Sequence, residues 1–392
     1  MDFLEVSLSS VILDKNKGCY RFPPREKIDQ QNNYEDLFDF FTLFSDIFQT
    51  EEGIELLGPP LLNLKSSLED GGIYIDGVDK TGKIIINELD RASKSIIPTI
   101  KDARQIEITF QDQKFIRDIQ PDNTQFFLDR NVLVTHQRDN PLEWILYWIL
   151  FHVEHHNIDS VLIYDNGSSN YSIDEVKDIL ANVKKIEKVC IVDWRIPFGL
   201  TGGHNQIWDS DYGQHQFLEH ALKRLLRYAN CAIIGDVDEL PLHDHNIPLP
   251  DLLKNANQPV ISYSRRNIVN VGSNTDSRVH SNTWMYEADK PLINKKYSIS
   301  PRNLNLNTQL LVHQVVGSDV YFCKNLVSRH FMSLRVDWRN GNYSPKPFQD
   351  SSCYENLIKD SSLLHSFESV DSAFSEFISK YPISNIQHMA LK

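Results

Sequence analysis

NVLVTH at 131–136, SVLIY at 160–164, KVCIVDW at 188–194 and CAIIGDVDEL at 231–240 are four short runs, apolar almost throughout. Continuous apolarity, rather than alternation, is the mark of strands buried on both faces of a parallel sheet. Between the runs lie stretches of helical character. The segment 141–156 opens with Pro141, a residue that costs little in the first turn of a helix. Ser172-Ile173-Asp174-Glu175 is a capping box that predicts a helix to about 183. A further helix is predicted over 212–229, with Phe217, Leu218, Ala221, Leu222, Leu225 and Leu226 on one face. Strand–helix alternation of this kind predicts an α/β fold, a mostly parallel sheet flanked by helices.

Upstream, the pattern is less regular. The run YEDLFDFFTLFSDIFQ at 34–49 has near-helical apolar spacing and predicts a helix. Gly58-Pro59-Pro60 breaks the chain, two β-rich runs with turn residues between them follow at 71–89, and IEITF at 106–110 alternates as a half-buried strand does. The polar segment 118–125, which holds Pro121, predicts a boundary. Residues 1–125 are expected to form a smaller α+β module and residues 126–392 the α/β domain with a helical tail.

The chain has 392 residues, 53 acidic and 40 basic, for a formal charge of −13. At roughly 150 residues per domain, that length suggests two domains or three. An acidic chain is poorly suited to hold nucleic acid by long-range attraction to phosphates. The five cysteines are widely spaced with no C-x-x-C pair, so neither a zinc site nor a disulfide framework is indicated. Cys190 and Cys231 lie in apolar runs and read as buried small hydrophobes. The acidic start MDFLEV has no basic n-region, and the most apolar stretch, WILYWILFHV at 144–153, is half the length needed to span a bilayer. The expectation is a reduced, cytoplasmic protein with no transmembrane segment. Peripheral membrane association is compatible with it.

Two polar clusters fall at predicted strand ends, where open α/β sheets bind ligands. They are Asp165-Asn166-Gly167-Ser168-Ser169 and Asp236-Val237-Asp238-Glu239. In an extended segment residues i and i+2 face the same side. Asp236 and Asp238 are then expected to share one divalent cation, Mn²⁺ or Mg²⁺, with substrate phosphates as further ligands. A solvated acidic turn is the plain alternative for an isolated D-x-D. The segment 260–346 carries twelve Lys/Arg against five Asp/Glu, among them Arg265, Arg266, Lys295, Lys296, Arg302, Arg329, Arg335 and Arg339. A basic segment after an acidic metal turn suits a nucleoside diphosphate. His313, in LLVHQVV, reads as a core histidine. The signatures of zinc proteases, nucleophile-elbow hydrolases, dinucleotide sites and P-loops are absent from the sequence.

Taken in order, NPLEWI (140–145), LIYDNGSS (162–169), WDSDYGQ (208–214), GDVDEL (235–240) and RHF…W (329–338) resemble glycosyltransferases of family 92 and related family 2-like bacterial enzymes. The resemblance covers residues 126–345. It implies the GT-A fold, with Asp165 and Asn166 near the base or ribose of a donor nucleotide, Asp236 by the donor sugar and the metal, Asp238 on the metal, and His330 as an added metal or phosphate contact. Glu143 and Trp144 match a pair that is structural. HQRDN at 136–140 departs from the Asn-Glu usual at the first strand, which points to a different role for Arg138 and Asp139 at the nucleotide.

These readings lead to a metal-dependent glycosyltransferase that moves a sugar from a nucleotide-diphosphate donor to a glycan or glycolipid acceptor, as in bacterial surface polysaccharide synthesis. The candidate donor-binding residues are Asp165, Asn166, Arg138, Asp236, Arg302 and Arg335. The candidate metal ligands are Asp236, Asp238 and His330. The candidate catalytic carboxylates are Asp238, Glu239, Glu287 and Asp211, with Asp209 and Asp289 as further possibilities for the base of an inverting transfer. The alternatives are a nucleotidyltransferase or phosphohydrolase on a related sheet, and a non-catalytic glycan-binding scaffold.

Overall fold

The computed structural model describes residues 1–98, 101–203, 205–272, 278–334 and 347–383. Its centre is a nine-stranded sheet made of β1 (Asp2–Val6), β2 (Asn131–Gln137), β3 (Ser160–Asp165), β4 (Lys188–Asp193), β5 (Cys231–Ile234), β6 (Glu239–His243), β7 (Val260–Ile268), β8 (Ile293–Ile299) and β9 (Val320–Phe331). The spatial order is β1-β4-β3-β2-β5-β8-β7-β9-β6. All pairings from β1 to β5 are parallel, and β7 also runs parallel to β9. The pairings of β8 with both neighbours and of β6 with β9 are antiparallel. The expected α/β architecture is therefore present.

Alternation along the buried strands explains the two layers of helix. Leu133, Val161, Ile163, Val189 and Ile191 point to one face, under α1 (Leu142–His156), α2 (Ile173–Ala181) and α5 (Ser361–Lys380). Val132, Val134, Leu162, Cys190 and Val192 point to the other, under α3 (Tyr212–His220) and the π-helical turn Ala221–Leu226 that continues it. The remaining described α-helix of this half, α4 (Leu249–Ala256), precedes β7. The Ser172–Glu175 capping box closes as predicted. Cys190 and Cys231 are buried and free. Among the described residues, no helix is long and apolar enough to cross a membrane.

The helix predicted over 34–49 does not form. A single turn, Tyr34–Leu37, is followed by strands Thr42–Phe44 and Asp46–Gln49. Residues 46–49 pair with Gly53–Gly58 in a four-stranded antiparallel sheet completed by Ala92–Pro98 and Ile85–Leu89, and that pairing overrides local propensity. A second small sheet joins Gln113–Asp118, Gln105–Phe110, Ile73–Ile75 and Val78–Asp79. His313 also departs from expectation. LLVHQVV folds into the hairpin Gln309–Leu311 and Gln314–Val316, which leaves His313 exposed at its turn.

The amino-terminal region is locked to the large sheet. β1 is an edge strand of that sheet, so residues 2–6 lie outside the small module expected for 1–125. Asp46 is fully buried. Its Oδ2 accepts from Arg224 at 2.6 Å and lies 3.0 Å from His220 Nε2, and its Oδ1 accepts the Ser9 N–H at 2.7 Å. Burial raises the Asp46 carboxyl, but the His220 hydrogen bond and the Arg224 guanidinium outweigh it and hold the group below the usual carboxylate range. Removing one partner of a buried pair strands the other's charge, so Asp46→Ala is expected to cost about 3–5 kcal/mol in urea denaturation. A depressed folded pKa stabilises above the unfolded value of ~3.9 and is lost as pH falls through the folded value. The Asp46 share of stability is thus expected at neutral pH and absent in strong acid, which denaturation as a function of pH will read.

Candidate functional site

Because β2, β3, β4 and β5 are parallel, their carboxyl ends meet along one edge. After β2 the chain turns through Asp139, which has φ 52° and a buried side chain. Asp139 Oδ1 accepts the N–H groups of Ser169 at 2.6 Å and Asn170 at 2.8 Å, tying this loop to the one after β3. Asp165 is buried: Oδ1 takes Gln137 Nε2 at 2.6 Å and the Ser168 hydroxyl at 2.5 Å, and Oδ2 takes the Ser168 N–H at 2.8 Å. Burial raises its pKa, against the Ser168 hydrogen bonds that lower it. Asn166 donates to the carbonyls of Trp194 at 2.7 Å and Ile196 at 2.8 Å and so fixes the loop after β4. Asp165 and Asn166 thus tie the loops at this edge to one another. The loops they join frame a cleft of about 440 Å³ lined by Arg138, Asn166, Arg195 and Phe198 together with Asp36 and Leu37 of the amino-terminal region.

One strand over, β5 ends at the acidic motif. It is a turn, not an extended segment, closed by the Glu239 N–H on the Asp236 carbonyl at 3.0 Å. The strand rule that would put both aspartates on one side therefore does not operate. Asp236 Oδ2 lies 3.3 Å from Lys296 Nζ, whereas Asp238 Oδ2 lies 3.3 Å from His330 Nε2. Glu239 is buried and held by Lys296 at 2.8 Å and Arg265 at 3.4 Å, as a counter-ion is. Desolvation works against the Lys296 cation, but Asp236 and Glu239 together outweigh it and raise its pKa.

The donor chemistry around Asp238 fits a hard cation. Asp238 Oδ1 is buried with no hydrogen-bond partner among the described residues. His330 Nδ1 lies 3.0 Å from Asn267 Oδ1, an acceptor, so in the neutral imidazole Nδ1 carries the proton and Nε2, 3.3 Å from Asp238 Oδ2, is free to act as an electron-pair donor. Among the described residues no group of three or more His, Cys, Asp or Glu is placed to hold a metal ion. A cation at Asp238 and His330 would thus draw its remaining ligands from a bound substrate, as Mg²⁺ commonly does.

The other candidates are scattered. Arg302 follows β8, whose end pairs with the start of β5, and it binds Asp129, the Tyr228 carbonyl at 2.9 Å and the Ala229 carbonyl at 3.4 Å. It sits at the amino end of the parallel strands, so its expected place at the donor is corrected. Arg329 is buried against Asp360 at 3.0 Å. Asp211 is buried between Arg91 at 3.1 Å and His215 at 3.5 Å, and Asp209 pairs with Arg25 at 2.6 Å. Glu287 lies on the two-stranded ribbon Met285–Glu287 with Leu357–Lys359, half-buried, its Oε1 accepting the Glu355 N–H at 3.4 Å. Asp289 accepts from Asn356. Trp144 donates to the Arg278 carbonyl at 2.6 Å, the structural role expected of it. Arg335, Arg339 and Trp338 lie outside the described residues. Asn267 and Asp36 carried no signal in the sequence, since each is an ordinary polar residue until the fold brings it to the edge. Lys296 was visible only as one charge in a basic segment.

No family model matches this sequence, and no curated protein matches it. Among solved structures, the apo structure of the WbbM bifunctional glycosyltransferase overlaps 43% of this chain and 27% of that one, with a TM-score of 0.27 and 14% identity. The overlap spans about a quarter of that chain, and a likeness this low carries no argument about activity.

Lys296 gives a direct test of the charge arrangement. Lys296→Met leaves the buried Glu239 with Arg265 alone and is expected to cost about 3–5 kcal/mol in urea denaturation. A raised lysine pKa stabilises below the unfolded value of ~10.4 and is lost only as pH rises through the folded value. The difference between wild type and Lys296→Met is therefore expected to hold steady from neutral pH to about pH 10, measured by the same denaturation series.

Proposed function

We propose that this protein is a metal-dependent glycosyltransferase that transfers a sugar from a nucleotide-diphosphate donor to a glycan or glycolipid acceptor. The observation that carries the reading is the edge where β2 and β5 lie side by side. An arginine-lined cleft stands at one strand end, and at the other stands a carboxylate with a buried, unpartnered oxygen beside an imidazole. The order of motifs from 140 to 338 supports the same reading.

In this reading the nucleotide occupies the cleft, and Arg138 and Arg195 bind its anionic groups. Asp238 and His330 would hold the divalent cation, Mn²⁺ or Mg²⁺, which when bound supplies neutralisation of charge on the diphosphate. Lys296 and Arg265 grip Glu239 and Asp236 and keep the turn rigid, so that Asp238 stays aimed at the edge. During transfer the acceptor oxygen attacks the anomeric carbon, the carbon–oxygen bond to phosphate breaks, and its electron pair leaves with the nucleoside diphosphate. An inverting course needs a carboxylate to take the acceptor proton. Asp211 and Glu239 are committed to buried ion pairs, and we assign that proton to Glu287.

A ligand at 100 times its dissociation constant adds about 2.7 kcal/mol of stability. At least one of UDP, GDP, ADP and CDP is expected to raise the melting temperature in Mn²⁺, and Asp238→Asn to abolish the Mn²⁺-dependent part. No shift with any nucleotide would shift weight to a glycan-binding scaffold. In turnover, a free nucleoside diphosphate is the expected product; pyrophosphate or phosphate would identify a nucleotidyltransferase or phosphohydrolase instead.

A further inference from the structure

The cleft at the carboxyl edge is not built by the α/β domain alone. Arg195, Pro197 and Phe198 belong to the long connection between β4 and α3, and amino-terminal residues hold that connection in place. Arg25 donates from NH2 to Asp209 Oδ1 and to the Ile207 carbonyl, each at 2.6 Å, and from NH1 to Gln31 Oε1 at 2.6 Å. Its guanidinium lies 5.2 Å from the Tyr34 ring centre, and the Tyr34 hydroxyl is 3.1 Å from Ser210 Oγ. Leu200 is buried among Tyr34, Phe38 and Tyr212. Gly199, with φ +91°, presses so close to this base that a Cβ would sit 2.0 Å from the Ser210 carbonyl oxygen. The one-turn helix Tyr34–Leu37 is thereby fixed against the loop, and its Asp36 and Leu37 line the cleft with Arg138, Arg195 and Phe198.

The cleft is thus lined by two guanidinium groups, Arg195 held by Asp193 at 2.8 Å and Arg138 lying 3.7 Å from Asp139, and by one further carboxylate, Asp36. Asp36 is exposed and has no hydrogen-bond or ion-pair partner among the described residues. A bare anion would be drawn by the arginines and repelled by Asp36. A ligand that carries anionic groups and neighbouring hydroxyl donors satisfies both, because a carboxylate accepts two hydrogen bonds from a vicinal diol. We propose that residues 25–38 form one wall of the donor site and that Asp36 recognises the ribose diol of the bound nucleotide. This rests on the nucleotide-sugar reading above and adds a specificity residue from a part of the chain that the family resemblance does not reach.

The test is calorimetric binding of UDP, GDP, ADP and CDP, of their 2′,3′-dideoxy counterparts and of pyrophosphate, all in Mn²⁺, to wild type, Asp36→Asn and Asp36→Ala. Asp36 has no partner to lose, so unchanged melting temperatures are expected. Asp36→Ala should weaken the preferred ribonucleotide by roughly tenfold, as expected for loss of one charge-assisted interaction. Dideoxynucleotide and pyrophosphate binding should not weaken, and pyrophosphate should bind somewhat more tightly once the repelling carboxylate is gone; Asp36→Asn should fall between for the ribonucleotide. Equal ribonucleotide affinity in wild type and Asp36→Ala would overturn the role of Asp36 while leaving the donor reading intact. Wild type that binds pyrophosphate but none of the nucleotides, or nothing at all, would overturn both.

Discussion

A parallel strand buried on both faces admits charged side chains only at its ends. In this protein β2 to β5 are such strands, covered by α1, α2 and α5 on one side and α3 on the other. The charged groups that these strands carry are displaced to their ends as a consequence. Gln137-Arg138-Asp139, Asp165-Asn166 and Asp236-Val237-Asp238 emerge along a single edge because the strands that carry them point the same way. The acidic turn and the arginine cleft are neighbours for that reason, although about a hundred residues separate Arg138 from Asp238 in the chain.

The edge is stiffened by polar groups that sequence motifs would assign to substrate. Asp139 and Asn166 lace three loops together through backbone N–H groups and carbonyls. Asp165 anchors Gln137 and Ser168. Lys296, from β8, and Arg265, from β7, neutralise the buried Glu239. A loop held by fully satisfied hydrogen bonds presents its remaining groups in one arrangement, which is what binding a multiply charged ligand requires. Asp238, with one buried oxygen that no described residue hydrogen-bonds, is a carboxylate that this lacing leaves at the edge.

The amino-terminal third is joined to the α/β half through buried charge. Asp46 meets Arg224 and His220, Arg25 meets Asp209, and Arg91 meets Asp211. Each pair spans more than a hundred residues, and each involves a carboxylate or guanidinium largely removed from water. Such contacts are costly to break one-sidedly. They make the small antiparallel sheets a fixed part of the cleft's surroundings, with Tyr34–Leu37 standing at its mouth.

The α/β class, the four parallel strands, their helices and the capping box at Ser172 were determined by the sequence itself, because apolar runs and cap residues act over a few neighbouring positions. So was the placement of polar motifs at strand ends. Only the tertiary structure decided that 42–49 is strand and not helix, since residues 42–44 pair with Val11 and Ile12, about thirty residues away, and the hairpin that 46–49 forms with 53–58 is completed by the distant strand 92–98. It also decided that Asp236 turns to Lys296 while Asp238 turns to His330, that Arg302 sits at the far end of the sheet, and that Asp36 lines the same cleft as Arg138 and Arg195. Local spacing sets which way a side chain leaves its own element. Which charge it meets depends on strand order and on the direction of each neighbour, and those are settled by burial of the whole sheet.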